Sequence, residues 1–346
     1  MRQDRSTKHK IINGIVIAVI LIALFALTMF LIERHGLTDE QFGDTGEWGA
    51  NEGADQFYLY IDGANYVSSD DVDTYLLIGT DNEREGEAGF NGGMADFLML
   101  VLIDNTTQKY GMYQLDRNTM TLVDILNENG ESMGAETQQL CISHWYGQND
   151  EQRNENTVRA VSNLFGELPI DGYYTLNMED IGRVNNALGR VEVTVETDMT
   201  SVDPAFVAGS TVVLSDDQAE KFVRARMGVG SGTNKERMSR QRQYLQKVYS
   251  MLMSQIKENP EYINDLYDQL HDLVESNMHD KKFSQITNQL VNYDSEGIIT
   301  FEGTSEKGVQ EVSGDVLEEF YVNGQSIVDN LKRVMQLEPY VEEPQQ

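Results

Sequence analysis

TYLLIG (74–79) and FLMLVLI (97–103) are two uninterrupted apolar runs of strand length, separated by a charged, glycine-rich stretch. A strand with one wet face alternates polar and apolar residues, so a continuous run implies a sheet covered on both faces. KYGMYQL (109–115) and TMTLVDI (119–125) are further strand candidates, and FYLYID (57–62) opens the folded region. Beyond them Asn156 to Phe165 reads as a helix, YYTL (173–176) as extended, and 178–188 as a helix behind the capping residue Asn177. VEVTVE (191–196) alternates strictly and follows Gly189, a helix stop. Ser215 with Gln218 forms a capping box that opens a helix through Arg226. A break at Gly228, Gly230 and Gly232 precedes a long helix over 235–257. Further helices are expected from Pro260, over 280–293 and over 316–335, with IITFEG (298–303) a late strand. The fold class is α/β: a mixed central β-sheet flanked by helices on both faces, an αβα sandwich.

The run IINGIVIAVILIALFALTMFLI (11–32) carries no charge and is long enough, at ~1.5 Å per residue, to cross a hydrocarbon core of roughly 30 Å. Arg2, Arg5, Lys8 and Lys10 precede it and only Arg34 follows closely, which places the N-terminus in the cytoplasm and the rest outside. The run is too long for the apolar part of a cleaved signal and lacks a small-x-small site after it. Residues 1–10 then read as a cytoplasmic tail, 11–32 as a transmembrane anchor and 33–56 as a flexible acidic linker. Residues 57–337 read as an extracytoplasmic domain and 338–346 as a disordered tail.

The net charge is −31, against which Lys221 to Lys247 gathers eight of the 26 Lys and Arg residues beside one acid, Glu236. Guanidiniums so concentrated face either the protein's own carboxylates or a phosphate-bearing ligand, and spacing alone does not separate the two. The overall charge repels double-stranded nucleic acid, so no nucleic-acid partner is expected. The single cysteine, Cys141, excludes an internal disulfide, and the five histidines show no metal-ligand spacing. No G-x-S-x-G elbow or Walker A loop is present, and GVGSG (228–232) is only a weak phosphate-loop pattern. Asp81 follows one apolar strand and Asp96 begins the next. Carboxylates at neighbouring strand ends either converge on a hard cation with ligand phosphates or cap backbone amides. Arg117, after KYGMYQLD, is either a third contributor or a solvated strand-end residue.

The anchor, YLLIGTD with Asp81, the glycine-rich turn to Asp96, FLMLVLID, QLDRNT around Arg117, and the run 156–195 together resemble the LytR–CpsA–Psr family. LSDDQAEKFVRARMGVGSGTNKERMSRQRQYL (214–245) adds a helix ending in R-x-R, a loop, and R-x-x-R-Q opening the next helix. The resemblance covers about residues 72–337 and rests on order and spacing rather than on one motif. It implies a membrane-anchored phosphotransferase, working outside the cell membrane. Such an enzyme attaches a polyprenyl-pyrophosphate-linked anionic glycopolymer to a peptidoglycan sugar hydroxyl in cell wall biogenesis. It further implies Arg117, Arg224 and Arg226 as catalytic residues. With Arg237, Arg240 and Gln241 these would hold the pyrophosphate. It implies Mg²⁺ or Mn²⁺ on Asp81 and Asp96, offsetting charge on the leaving phosphate, and an apolar tunnel for the prenyl tail.

Three positions depart from the pattern. Met94 stands for the arginine of G-R-S/T-D, Asn118 for the acid of P-R-D, and Asn234 for the acid of D-x-x-R ahead of Arg237. Each lost charge-assisted contact is worth ~1.5–3 kcal/mol. The alternative is therefore a weakened or inactive module that binds polyprenyl phosphate or wall polymer and serves in regulation or assembly.

Overall fold

The computed structural model describes residues 56–69, 71–81, 93–226, 228–259, 269–278, 293–309 and 316–340, with 262, 266, 286 and 289. The cytoplasmic tail, the anchor over 11–32 and the linker up to residue 55 lie outside the described residues, as do most of the helices expected after Pro260 and over 280–293. Among the described residues no helix is long and apolar enough to cross a membrane.

The chain forms two compact units. One draws its described residues from Thr45–Thr175 and Tyr293–Gln346, the other from Leu176–Asn292. The first begins with the hairpin β1 (Gln56–Ile61) and β2 (Ala64–Ser69), then β3 (Val72–Thr80), β4 (Ala95–Asp104) and β5 (Lys109–Leu115). A second hairpin, β6 (Met120–Leu126) and β7 (Ser132–Gln139), leads through a 3-10 turn at Leu140–Trp145 to helix α1 (Asp150–Leu164) and then β8 (Gly172–Asn177). The inserted unit holds α2 (Ile181–Ala187), β9 (Glu192–Thr194), β10 (Thr211–Val213), α3 (Asp216–Arg224), α4 (Asn234–Glu258) and β11 (Val274–Ser276). The first unit resumes with β12 (Asp294–Ile299), β13 (Gly303–Val309), β14 (Val316–Val322), α5 (Gly324–Leu331) and β15 (Leu337–Pro339).

Within the first unit the central sheet runs β8-β3-β4-β5-β12. β3, β4 and β5 pair antiparallel, with Leu76 opposite Leu100 and Leu100 opposite Tyr113, while β12 lies parallel to β5. The sheet is therefore mixed, and the fold is a mixed α/β fold, as the continuous apolar runs require. Leu76, Ile78, Leu98, Leu100 and Leu102 share one core with Ala160 and Val161 of α1 and Ile327, Val328 and Leu331 of α5. The alternate residues Tyr75, Met99, Val101, Ile103 and Met112 are also fully buried, so both faces are dry. Tyr113, Phe165 and Phe301 pack ring on ring with centroids 5.5–6.4 Å apart. The Tyr113 hydroxyl donates to the Asn330 carbonyl at 3.0 Å.

In the inserted unit, β9 and β10 pair antiparallel, and Phe206 meets Phe222 of α3 edge to face. The fully buried Asn185 links the pieces: its amide donates to the Leu214 carbonyl and its oxygen accepts from the Val191 amide.

Two expectations are corrected. The stretch 316–335 is not one helix. Val316–Val322 is a strand paired with β13, and its Val, Phe and Tyr side chains suit a pleated surface. Asn323 then caps the short α5 by accepting from the Ser326 amide. Nor does the chain fray from residue 338: Glu338 and Pro339 pair with β2 and Tyr340 donates its amide to Asn65. Residues 341–346 lie outside the described residues.

Leu100 sits in the sheet's centre with no exposed surface. Leu100→Ala is expected to lower unfolding free energy by about 2–5 kcal/mol. Urea denaturation reads this directly, and a loss below about 1 kcal/mol would remove Leu100 from the core that organises the unit.

Candidate functional site

Asp81, Asp96 and Arg117 come together in the first unit. β3 ends at Thr80, and Asp81 follows it into a reciprocal clasp with the start of β4. The Asp81 amide donates to the Met94 carbonyl at 3.0 Å, and the Met94 amide donates to Asp81 Oδ1. Gly93 packs so closely that a Cβ there would run into the Asp81 carbonyl. Asp96, the second residue of β4, pairs with Arg117 Nε at 3.0 Å, and Arg117 Nη2 reaches Met94 Sδ at 2.8 Å. Arg117 is largely buried. That burial presses the guanidinium pKa down, but the Cys141 sulfur and the carboxylates of Asp96 and Asp81 outweigh it and hold the group above its ordinary range.

The clasp is braced from behind by residues that the apolar pattern does not reveal. His144 Nδ1 lies 2.9 Å from the Gly93 carbonyl and Nε2 lies 3.1 Å from Asn154 Oδ1 on α1. Thr175 donates to the same Asn154 oxygen at 2.8 Å. Burial is the largest influence on His144 and holds its pKa below the ordinary 6.5, against the opposing pull of the Gly93 and Asn154 contacts. The ring is therefore neutral at neutral pH. An isolated histidine without metal spacing gave no sequence signal for this role.

Arg224, Arg226, Arg237, Arg240 and Gln241 come together in the inserted unit, where α3 ends and α4 begins. Arg224 pairs with Glu220 at 2.6 Å, one turn back on α3. Arg226 Nε donates to the Gly232 carbonyl at 3.3 Å. Arg237, nearly fully buried, donates to Asn234 Oδ1. Arg240 donates to the carbonyls of Phe222 and Ala225, and Gln241 to that of Val223 at 3.4 Å. These are the carbonyls that a helix end leaves unpaired, so Arg240 and Gln241 tie α4 to the C-terminal end of α3. The intervening loop turns through Gly230 at φ +50°, where the Glu236 carboxylate approaches too closely for a side chain. Glu236 accepts from the Ser231 amide and hydroxyl and so holds the loop.

The three departures from the family pattern acquire physical reasons. Asn118 points toward β14, with its amide 3.3 Å from Glu318 Oε2, where an aspartate would face a like charge. Asn234 orients Arg237 through an amide oxygen, the neutral counterpart of a carboxylate. Met94 offers Arg117 a polarisable sulfur in place of a further charge.

Asp81 and Asp96 are hard-oxygen donors of the kind Mg²⁺ takes, and two carboxylates leave the remaining positions to water and phosphate. Among the described residues no group of three or more His, Cys, Asp or Glu is placed to hold a metal by itself. By themselves the two carboxylates are therefore only a partial ligand set for such a cation.

Comparison with known proteins identifies the family. The LytR_cpsA_psr family model matches residues 50–335. A curated relative from Bacillus cereus, polyisoprenyl-teichoic acid–peptidoglycan teichoic acid transferase TagU, is 28% identical over 182 residues, 53% of each chain. The TagU of Halalkalibacterium halodurans is 26% identical, over 53% of this chain and 54% of its own. The chain spans about half the length of the curated relatives it matches. Similar solved structures include gbs0355 of Streptococcus agalactiae (TM-score 0.57, 18% identity, covering 76% of this chain and 86% of that one) and TagV of B. subtilis (0.54, 19%, 76% and 96%). A structure described as TagT bound to LI-WTA has TM-score 0.52 at 20% identity, covering 77% and 90%. At these identities the structural likeness establishes the fold.

Two expectations follow. Arg240→Lys leaves an α3 carbonyl without a donor and lowers stability by about 1–3 kcal/mol, because an ammonium cannot reproduce the fork. A thermal or urea transition equal to the wild type would refute the bracing role. For His144, the unfolded chain binds a proton more readily than the folded one. Its contribution is fully present above the ordinary 6.5 and is lost as pH falls toward the lower folded value. Stability should therefore decline on acidification below about pH 6.5, and His144→Gln should flatten that part of the profile.

Proposed function

Because the chain belongs to the LytR–CpsA–Psr family, we propose that it transfers a polyprenyl-pyrophosphate-linked anionic glycopolymer to peptidoglycan, outside the membrane that residues 11–32 cross. On this reading helices flank both faces of the sheet and the N-terminus is cytoplasmic. The family match and the curated teichoic acid transferases support wall-polymer transfer. The observation that carries the chemistry is Arg117, a buried guanidinium set beside the two carboxylates of Asp81 and Asp96.

In the proposed reaction a sugar hydroxyl of peptidoglycan attacks the phosphorus that bears the polymer. A new P–O bond forms, the P–O bond to the lipid-side phosphate breaks, the hydroxyl proton departs, and polyprenyl phosphate leaves. Arg117 neutralises charge on the phosphate oxygens as it develops, in surroundings where water screens it little, and the resemblance assigns Arg224 and Arg226 the same task. The resemblance also assigns Arg237, which is nearly fully buried, to the pyrophosphate. Arg240 and Gln241 contribute to binding chiefly by fixing the α3–α4 junction from which Arg224 and Arg226 project. Asp81 and Asp96 would hold Mg²⁺ or Mn²⁺, which when bound supplies charge neutralisation to the leaving phosphate.

A second reading, a binding module without turnover, draws on one observation: Met94 Sδ takes the Arg117 Nη2 group that a phosphate would otherwise receive. The full chain, incubated with a lipid-pyrophosphate-linked saccharide, peptidoglycan and Mg²⁺, should transfer the saccharide and release polyprenyl phosphate. Absence of both transfer and pyrophosphate cleavage overturns the enzyme reading. Met94→Arg should raise a slow rate by roughly tenfold if one charge-assisted contact is restored in the transition state. It should leave an inert binding module inert.

A further inference from the structure

The inserted unit contains a cleft of about 340 Å³ between β9 with the residues just after it and one side of α4. At about 3.6 residues per turn, Lys235, Ser239, Arg242 and Gln243 fall on the side of α4 opposite the buried Arg237, Gln241 and Tyr244. The cleft is thus on another face of the helix from the residues assigned to the pyrophosphate, and Arg240 alone belongs to both sets.

Its lining runs against the charge of the chain as a whole. Three cations, Lys235, Arg240 and Arg242, line it against two acids, in a protein of net charge −31. One of those acids, Glu236, already accepts from Ser231. Burial holds the Arg242 and Arg240 guanidinium pKa values down, which marks both groups as partly withdrawn from water. Among the described residues Gln243 Oε1 is buried and meets no hydrogen-bond donor. The opposite wall is formed by Thr194, Glu196 and Thr197, and among the described residues no aromatic side chain lines the cleft. Cations, an amide oxygen in need of a donor and hydroxyls together suit a hydrated, charged sugar chain rather than an apolar tail.

We propose that this cleft is a subsite for the charged repeats of an anionic glycan, with Lys235 and Arg242 facing its anionic groups and Gln243 accepting from a sugar hydroxyl. Lys235 and Arg242 are seven residues apart on one side of α4, roughly 10 Å along its axis, so they meet successive charges of an extended chain rather than one phosphate. The proposal rests on the transfer reading above. It adds that polymer beyond the pyrophosphate is recognised, which makes the enzyme selective for charge and length.

The test uses the full chain and two carriers: a polyprenyl pyrophosphate bearing one neutral disaccharide, and the same carrier extended with poly(glycerol phosphate). The Lys235→Gln/Arg242→Gln double variant should lose roughly tenfold or more in kcat/KM on the extended carrier, with the short one unchanged. Lys235→Arg/Arg242→Lys, which keeps both charges, should restore most of it. Equal loss on both carriers, or no loss on either, overturns the subsite and leaves the transfer reading standing. Should wild type process neither carrier, the transfer reading fails by itself. Titration with free poly(glycerol phosphate) against dextran then decides the cleft. Binding of the anionic chain alone, abolished in the Gln variant, upholds an anionic-glycan site, while equal binding of dextran or no binding at all overturns it.

Discussion

A guanidinium cannot shed its charge, so burying Arg117 obliges the chain around it to supply electron-rich atoms. Asp96, Asp81, the Met94 sulfur and Cys141 answer that demand, and each comes from a different local structure: the start of β4, the end of β3, the turn between them and the 3-10 segment after β7. The sheet supplies the geometry. Antiparallel pairing of β3 with β4 brings Thr80 opposite Ala95, and the Asp81–Met94 clasp closes the ladder just beyond. Without the clasp Asp81 would lie on an unconstrained strand end, and part of the charge on Arg117 would be left without its counterion in a poorly polarisable interior.

The inserted unit meets a parallel demand by other means. Arg226, Arg237 and Arg240 there donate to backbone carbonyls and an amide oxygen, while Arg224 pairs with Glu220. Arg240 and Gln241 complete the hydrogen bonding of α3 where the helix runs out. The chemistry assigned to Arg224 and Arg226 thus depends on a joint made by their neighbours on the next helix. Side chains that prepare a site and side chains that use it share one short stretch of sequence.

What could be read from the sequence follows from how each element is buried. β3, β4 and β5 stand out because both sheet faces are dry and their apolar runs are unbroken. The α3 start stands out because Ser215 and Gln218 form both halves of a capping box. β7, SMGAETQQ, carries no such pattern, being largely exposed and held by its pairing with β6. β14 was misread as a helix because Val316, Leu317, Phe320 and Tyr321 fit helical spacing as well as a strand, and only β13 decides between them. α1 begins at Asp150, ahead of the expected Asn156. Its first turns bury Arg153, Asn154, Asn156 and Thr157, polar residues satisfied by specific partners and invisible to hydrophobic periodicity. The arginines and aspartates were legible by type and order, whereas His144 and Asn154 act through contacts that spacing does not encode.

The discontinuity of the first unit bears on how the protein is made. Its core joins β3 and β4 to Ile327, Val328, Leu331 and Leu337, and its edge hairpin gains a third strand only from β15. During synthesis the early strands therefore wait, with one face covered only in part by α1, until more than a hundred intervening residues have emerged. A ribosome that stops short of α5 would release a chain with an open sheet, the kind of surface that chaperones shield and proteases clear. Closure of the sheet thus depends on residues translated long after its first strands.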